Sequence, residues 1–193
     1  MSPLHILDLV WLTNCGDIAG SWSGTPDKGW LHIIPTQGQL KSGAWTQVRV
    51  SANSSNLIPG MYTGSITFTI ATSAGQSGAV VQETLTVSSP TLTVTPGDLM
   101  TGGTCSYDGV SKSDSCTVTL TNSSVDGLLV WSPSSTFSSV GFNPQSYPLP
   151  PGASVQVTIT GLPPCGQPSG PNGTVSFKGP ANEVNLPWPR PPG

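Results

Sequence analysis

Charge is scarce in this chain. Of 193 residues only six are Lys or Arg and nine are Asp or Glu, 8% in all, too few to lace the flanks of a coiled coil. The net charge is −3, with no basic run to neutralise phosphates or an anionic lipid surface, which argues against nucleic acid as a partner. Long apolar runs are missing too. The longest candidate, Leu4 to Leu12, is interrupted by His5 and Asp8 and falls short of the roughly 18 residues that a spanning helix needs. The opening Met1-Ser2-Pro3-Leu4-His5 has neither the basic region nor the apolar core of a secretory signal. His5 and His32 are the only histidines, far apart and without a Cys or Asp at ligand spacing, so zinc and Ser-His-Asp chemistry find no support and both read as surface residues. The acids are scattered, with no pair spaced for general acid/base work. Asp108 and Asp114 flank Gly109 without the spacing of a calcium loop and read as a solvated turn. These absences point to a protein with no cofactor, no metal and no enzymatic activity.

What is abundant is turn chemistry. Gly (23) and Pro (20) together exceed a fifth of the chain, and both punctuate helices, so many short strands are expected. The apolar period is two. Thr46, Val48 and Val50 alternate with Trp45, Gln47 and Arg49, as Val155, Val157 and Ile159 alternate with Gln156, Thr158 and Thr160; each segment then has one buried and one solvated face.

The chain also repeats itself. Trp22 and Trp131, Pro35 and Pro144, Leu40 and Leu149, Gly43 and Gly152, Gly64 and Gly173, and Phe68 and Phe177 are each 109 residues apart. Leu12-Thr13-Asn14 recurs as Leu120-Thr121-Asn122, 108 residues on. A register carried by Trp, Pro and Gly predicts two copies of one fold. The fold class expected is all-β, two tandem immunoglobulin-like antiparallel sandwiches, with domains at 1–88 and 89–193 joined through Ser88-Ser89-Pro90. The spacing sets Met1 opposite Gly109, so Thr91 to Val94, the first strand of the second copy, has no counterpart and the first domain is expected to lack its N-terminal strand. Leu9 and Trp11, opposite Thr117 and Thr119, would face water. Either the chain is a piece of a longer one, or a partner strand covers that surface.

Trp30-Leu31-His32-Ile33-Ile34-Pro35-Thr36-Gln37-Gly38-Gln39-Leu40, with Gly43 and Leu57-Ile58-Pro59-Gly60-Met61-Tyr62-Thr63-Gly64-Ser65-Ile66-Thr67, resembles the BACON-type bacterial immunoglobulin-like domains over most of the first copy. Phe142-Asn143-Pro144, Leu149-Pro150-Pro151-Gly152 and Val184-Asn185-Leu186-Pro187-Trp188 resemble the same broad group, Hydin-type relatives included. The resemblance implies a sandwich module of multidomain bacterial surface proteins, acting as a spacer or binding carbohydrate. A structural or spacer role in a cell-surface or secreted protein is therefore expected, its partners being carbohydrate or neighbouring domains of a longer chain. The alternative is a carbohydrate-binding or adhesive module that uses exposed aromatics.

Three cysteines cluster in the second copy. Cys116 opens a strand at the end of the sandwich where the A–B loop carries Cys105 and where Cys165 also lies. Cys105 with Cys116 is the favoured bridge, Cys165 an alternative partner for either, and Cys15 at the far end is expected outside any internal bond. Such a bridge suits an extracellular or cell-surface setting. Trp22 and Trp131 read as core. Trp45, whose counterpart is Ser154, is expected to be exposed, with Trp30 and Tyr62 loosely beside it as a surface for stacking on sugar. Asn53, Asn122 and Asn172 begin Asn-x-Ser/Thr triplets, glycan acceptors only in a glycosylating host.

Overall fold

A computed structural model of the chain describes residues 4–99, 105–110, 113–164 and 172–188, and among them strands and turns are the only regular structure. The backbone forms two compact units, Met1–Asn56 with Gly60–Val87, and Leu57–Pro59 with Ser88–Gly193. The first holds β1 (Leu4–Thr13), β2 (Gly20–Pro26), β3 (Leu31–Ile34), β4 (Gln37–Leu40), β5 (Trp45–Asn53), β6 (Gly60–Thr72) and β7 (Gly75–Val87). They form two antiparallel sheets, β1-β5-β3 and β4-β2-β6-β7. Val48 and Val50 of β5 and Leu31 and Ile33 of β3 meet Trp22, Leu40, Ile66 and Phe68 of the other sheet in one buried cluster. The residues that alternate in sequence thus fill the space between two sheets, as an immunoglobulin-like sandwich requires.

The second unit holds β8 (Leu92–Thr95), β9 (Cys105–Asp108), β10 (Ser113–Asn122), β11 (Ser132–Ser135), β12 (Gly141–Asn143), β13 (Ser154–Leu162), β14 (Gly173–Lys178) and β15 (Glu183–Trp188). Its sheets are β12-β13-β10-β8, with β9 also on β10, and β11-β14-β15. Trp131, Phe177, Leu120, Leu149, Val157 and Leu186 are buried between them. Trp22 and Trp131, expected as core, are 4% and 1% exposed.

The ladders of the two units match pair for pair. Leu12 faces Thr46 and Val10 faces Val48, as Leu120 faces Val155 and Val118 faces Val157. Even the irregularity recurs, between Ile6 and Asp8 in β1 and between Asp114 and Cys116 in β10. Ile33 pairs with Val50 as Phe142 pairs with Ile159, and Gly24 pairs with Phe68 as Pro133 pairs with Phe177. One difference is that Gly64 pairs with Glu83 whereas Gly173 pairs with Trp188; the β6–β7 hairpin is longer, so Glu83 takes the register place of Trp188. The other is at the edge of the sheet. β8 lies along β10, Leu92 to Thr95 facing Asn122 to Thr119, while among the described residues no strand pairs with the corresponding edge of β1. Among the described residues the first sandwich thus has no counterpart of β8.

A buried asparagine closes the same end of each sandwich. Asn122 donates through Nδ2 to the carbonyls of Gly127 and Leu149, both at 3.0 Å, and its Oδ1 accepts from the Ser124 N–H. Asn14 does the same for Ile18, Leu40 and Gly16. Each exchanges backbone bonds with a turn, Asn14 with Gly43 and Ala44, Asn122 with Gly152 and Ala153. Gly43 and Gly152 have φ of 69° and 73°, a left-handed conformation costly for any residue with a Cβ. Since Asn122 is wholly buried and its amide is committed to these bonds, it cannot carry a glycan in the folded protein, which removes one of the three acceptor triplets read from the sequence. Asn53 is half-buried, with Oδ1 accepting from Ser55, and Asn172 is exposed.

Cys105 and Cys116 face each other across β9 and β10 and form the disulfide, closing a loop whose bridge stabilises by about 2 to 3 kcal/mol through chain entropy. Cys15 is free and exposed. Cys165 lies outside the described residues.

Replacing Asn122 by Ala takes the side-chain partner from the Gly127 carbonyl and the Ser124 N–H, while the Leu149 carbonyl keeps the Leu129 N–H, and the expected loss is about 2 kcal/mol. Urea denaturation checks this; a change within error would mean that the end turns hold without the asparagine.

Candidate functional site

The sheet β1-β5-β3 turns one side to solvent, and in the first unit that side is apolar. Leu9, Trp11, Trp45 and Ile34 are 45%, 57%, 61% and 68% exposed. The pleat sets them there, since Val10, Val48, Val50 and Ile33 point inward between them. Leu9 faces Arg49 and Ile34 faces Arg49 from the other flank, so one cation stands between two aliphatic side chains. With Gln47 these residues line a shallow hollow of about 260 Å³. Trp11 faces Gln47 and Thr13 faces Trp45, which makes the two tryptophans diagonal neighbours. Their rings meet edge to face with centroids 4.8 Å apart, a geometry that the ring quadrupoles favour.

Trp45 therefore has an aromatic neighbour, but not those expected from sequence. Trp30 accepts a backbone bond from Asn53, at the other end of β5 and about 26 Å along the strand from Trp45. It packs on the core, and its ring stacks edge-on against Tyr62 at 6.5 Å. Trp30 and Tyr62 form a second pair, remote from Trp45, and the grouping of three aromatics into one surface is corrected to two separate pairs. The sequence pattern places Leu9 and Trp11 outward but does not disclose that Trp11 meets Trp45 or that Gln47, Arg49 and Ile34 share the face. The i and i+2 alternation of Trp45, Gln47 and Arg49 was the available signal.

The face is an addition to the fold rather than a demand of it. At the same register the second unit has Thr117 for Leu9, Thr119 for Trp11, Ser154 for Trp45, Thr158 for Arg49 and Asn143 for Ile34. A polar face thus completes the same sheet equally well. Chemically, the apolar version offers ring edges and faces for stacking, an amide and a guanidinium. His32 is exposed, and among the described residues no group of three or more His, Cys, Asp or Glu is placed to hold a metal ion.

Residues 10–87 match the family model described as the viral BACON domain. The first unit is a BACON-type domain. The matching model is that of the viral form, whereas the sequence resemblance was drawn to bacterial modules. A comparison with curated proteins finds no match. Among solved structures the chain is similar to a protein of unknown function from Porphyromonas gingivalis W83 (15% identity, covering 93% of this chain and 88% of that one, TM-score 0.37). It is similar also to the E. coli chaperone DraB (9%, 95% and 90%, TM-score 0.38) and to the Salmonella enterica SafA pilin in complex with the SafB chaperone (8%, 97% and 96%, TM-score 0.37). At these scores none of the likenesses bears on function.

In the BACON domain the edge of β1 that no described strand covers differs from its counterpart in burial and charge. Leu12 and Val10 are half-buried, whereas Leu120 and Val118 beneath β8 are fully buried. Glu83, at the place of Trp188, is 9% exposed, and its buried Oε1 has no hydrogen-bond partner. Burial pushes its pKa above the ordinary glutamate value, and the nearby Asp8 carboxylate adds to the shift.

A raised folded-state pKa gives stabilisation that is full below the unfolded value and is lost as pH rises through the folded one. Glu83→Gln is thus expected to raise the melting temperature of the BACON domain at pH 7 and to weaken its pH dependence above the ordinary glutamate pKa. Calorimetry across pH checks this; an unchanged or steeper profile would contradict the assignment.

Proposed function

We propose that this chain is a non-catalytic structural module of a cell-surface or secreted protein, and that its BACON domain displays a recognition face. The observation that carries the reading is the contrast between two sheets of one register, apolar outward only in the BACON domain. Exposed apolar clusters of this kind mark interaction sites more often than fold requirements. Stacking rings beside an amide and a guanidinium support recognition. The Cys105–Cys116 bond supports an oxidising, extracellular setting. The viral description of the family makes the surface of a virus particle one such setting.

A carbohydrate ligand is the second reading, favoured by the Trp11–Trp45 pair, since aromatic rings stack on the C–H faces of sugars. A glycan array with wild type, Trp11→Ala and Trp45→Ala separates the two readings. Sugar binding lost in both variants at unchanged melting temperature identifies a carbohydrate surface; no glycan signal from any of the proteins rejects it.

The face itself is tested by importing the polar set from the sister sheet, Leu9→Thr, Trp11→Thr, Ile34→Asn and Trp45→Ser together. Exposed substitutions leave packing alone, so stability is expected to stay within about 1 kcal/mol of wild type. A loss of several kcal/mol would show that the apolar face serves the fold and not recognition.

A further inference from the structure

The open edge of β1 adjoins a cavity, and the second unit shows what fills such a place. The cavity, about 150 Å³, is lined by Leu12, Trp22, Leu40, Phe68, Ile70 and Ala79 among others. Four of these correspond in register to Leu120, Trp131, Leu149 and Phe177, the cluster in which Leu92 of β8 is buried. Leu92 enters there from a strand antiparallel to β10. The side chain of Asn182 brackets its peptide group, donating to the Leu92 carbonyl and accepting from its N–H, both at 2.9 Å. In the BACON domain the position of Asn182 belongs to Ser77, which lines the same cavity. The space opens to solvent, and with Thr13, Thr69 and Ser77 at its rim its apolar floor gains by exchanging water for an aliphatic group.

The backbone is prepared as well. Asn14 donates its N–H to Ala44, inward across the ladder. In an antiparallel strand successive residues direct their groups to opposite sides, so Trp11 and Thr13 present theirs to the empty edge. Their counterparts Thr119 and Thr121 face Thr95 and Thr93 of β8.

We propose that the β1 edge of the BACON domain is a strand-acceptor site, which binds an extended polypeptide segment other than β1–β15, antiparallel to β1, and takes an aliphatic side chain of that segment into the Trp22–Phe68 cavity. The recognised chemistry is that of Leu92–Thr95, apolar and β-branched side chains at alternate positions with uncharged residues between. A second copy of the chain is a poor donor. Its own Leu92 is buried and its β8 already closes β10, and a β1-to-β1 contact would leave both cavities empty because Val10 and Leu12 pack on their own core. This site is distinct from the outward face, so its failure would leave the proposed function standing.

The test uses the full chain and a synthetic peptide with the sequence of residues 89–96. Amide NMR is expected to show saturable binding with shifts at Trp11, Thr13 and the Trp22 indole. A peptide with Asp in place of its Leu, and a chain carrying Ala79→Leu, which fills the cavity from β7, should each weaken binding by about tenfold or more. Thr13→Pro removes an outward N–H at a position where an edge strand tolerates proline, and it should weaken binding while the variant stays folded. Absence of binding at millimolar peptide, or binding indifferent to the Leu→Asp and Ala79→Leu changes, overturns the proposal. So does concentration-dependent dimerisation abolished by Thr13→Pro, which would assign the edge to a second copy.

Discussion

Pairing of β1 with β5, repeated as β10 with β13, is the interaction on which both sandwiches depend. It sets which side chains of the sheet point inward, and a slip of β5 by one residue against β1 would exchange the inward Val48 and Val50 for Gln47 and Arg49. The same register, with the same irregularity before Asp8 and Cys116, fixes the Asn14 and Asn122 turns at one end. It also leaves one edge of the central strand needing a neighbour. In the second unit β8 meets that need and supplies Leu92 to the core; in the BACON domain no described residue takes up the backbone edge or fills the space beside it.

Much of this was written plainly in the chain. Trp22 and Trp131 are rare residues in a common register, so they announce both the repeat and its core. The matching registers of β1 and β10 follow from the spacing of Leu12-Thr13-Asn14 and its copy, and the disulfide from the crowding of cysteines at one end of a topology already inferred. Other features were hidden because they depend on neighbours distant in sequence. Asn14 and Asn122 were visible as a matched pair, but their role arises from carbonyls such as Leu40 and Leu149 brought in by another strand. Glu83 gave no warning, since the longer β6–β7 hairpin shifts the spacing just before it and conceals that it stands in for Trp188. Trp30 and Trp45 flank one strand and its neighbour in sequence but lie at opposite ends of the ladder, a separation that alternation alone does not encode.

The comparison between the units also separates what the fold needs from what has been added. Inward positions such as Trp22 and Trp131, Val48 and Val157, or Phe68 and Phe177 keep aliphatic or aromatic character in both, Glu83 at the place of Trp188 being the exception. Outward positions change from Thr, Ser and Asn to Leu, Trp and Ile while the backbone stays in register, so selection for packing does not account for the change. Exposed rings and an unpaired edge on one strand carry an aggregation hazard. β1 keeps both, which fits a strand that meets a partner along its edge, its face or both.

Native-state hydrogen exchange of the full chain, followed residue by residue, measures directly whether the edge of β1 is open in solution. If β1 lacks a neighbour, the amides of Trp11 and Thr13 exchange within the time of local fraying, while those of Thr119 and Thr121, held by β8, are protected close to the global limit. Equal protection of the two pairs would mean that the BACON domain closes its sheet by another route, and the open-sandwich account would be wrong.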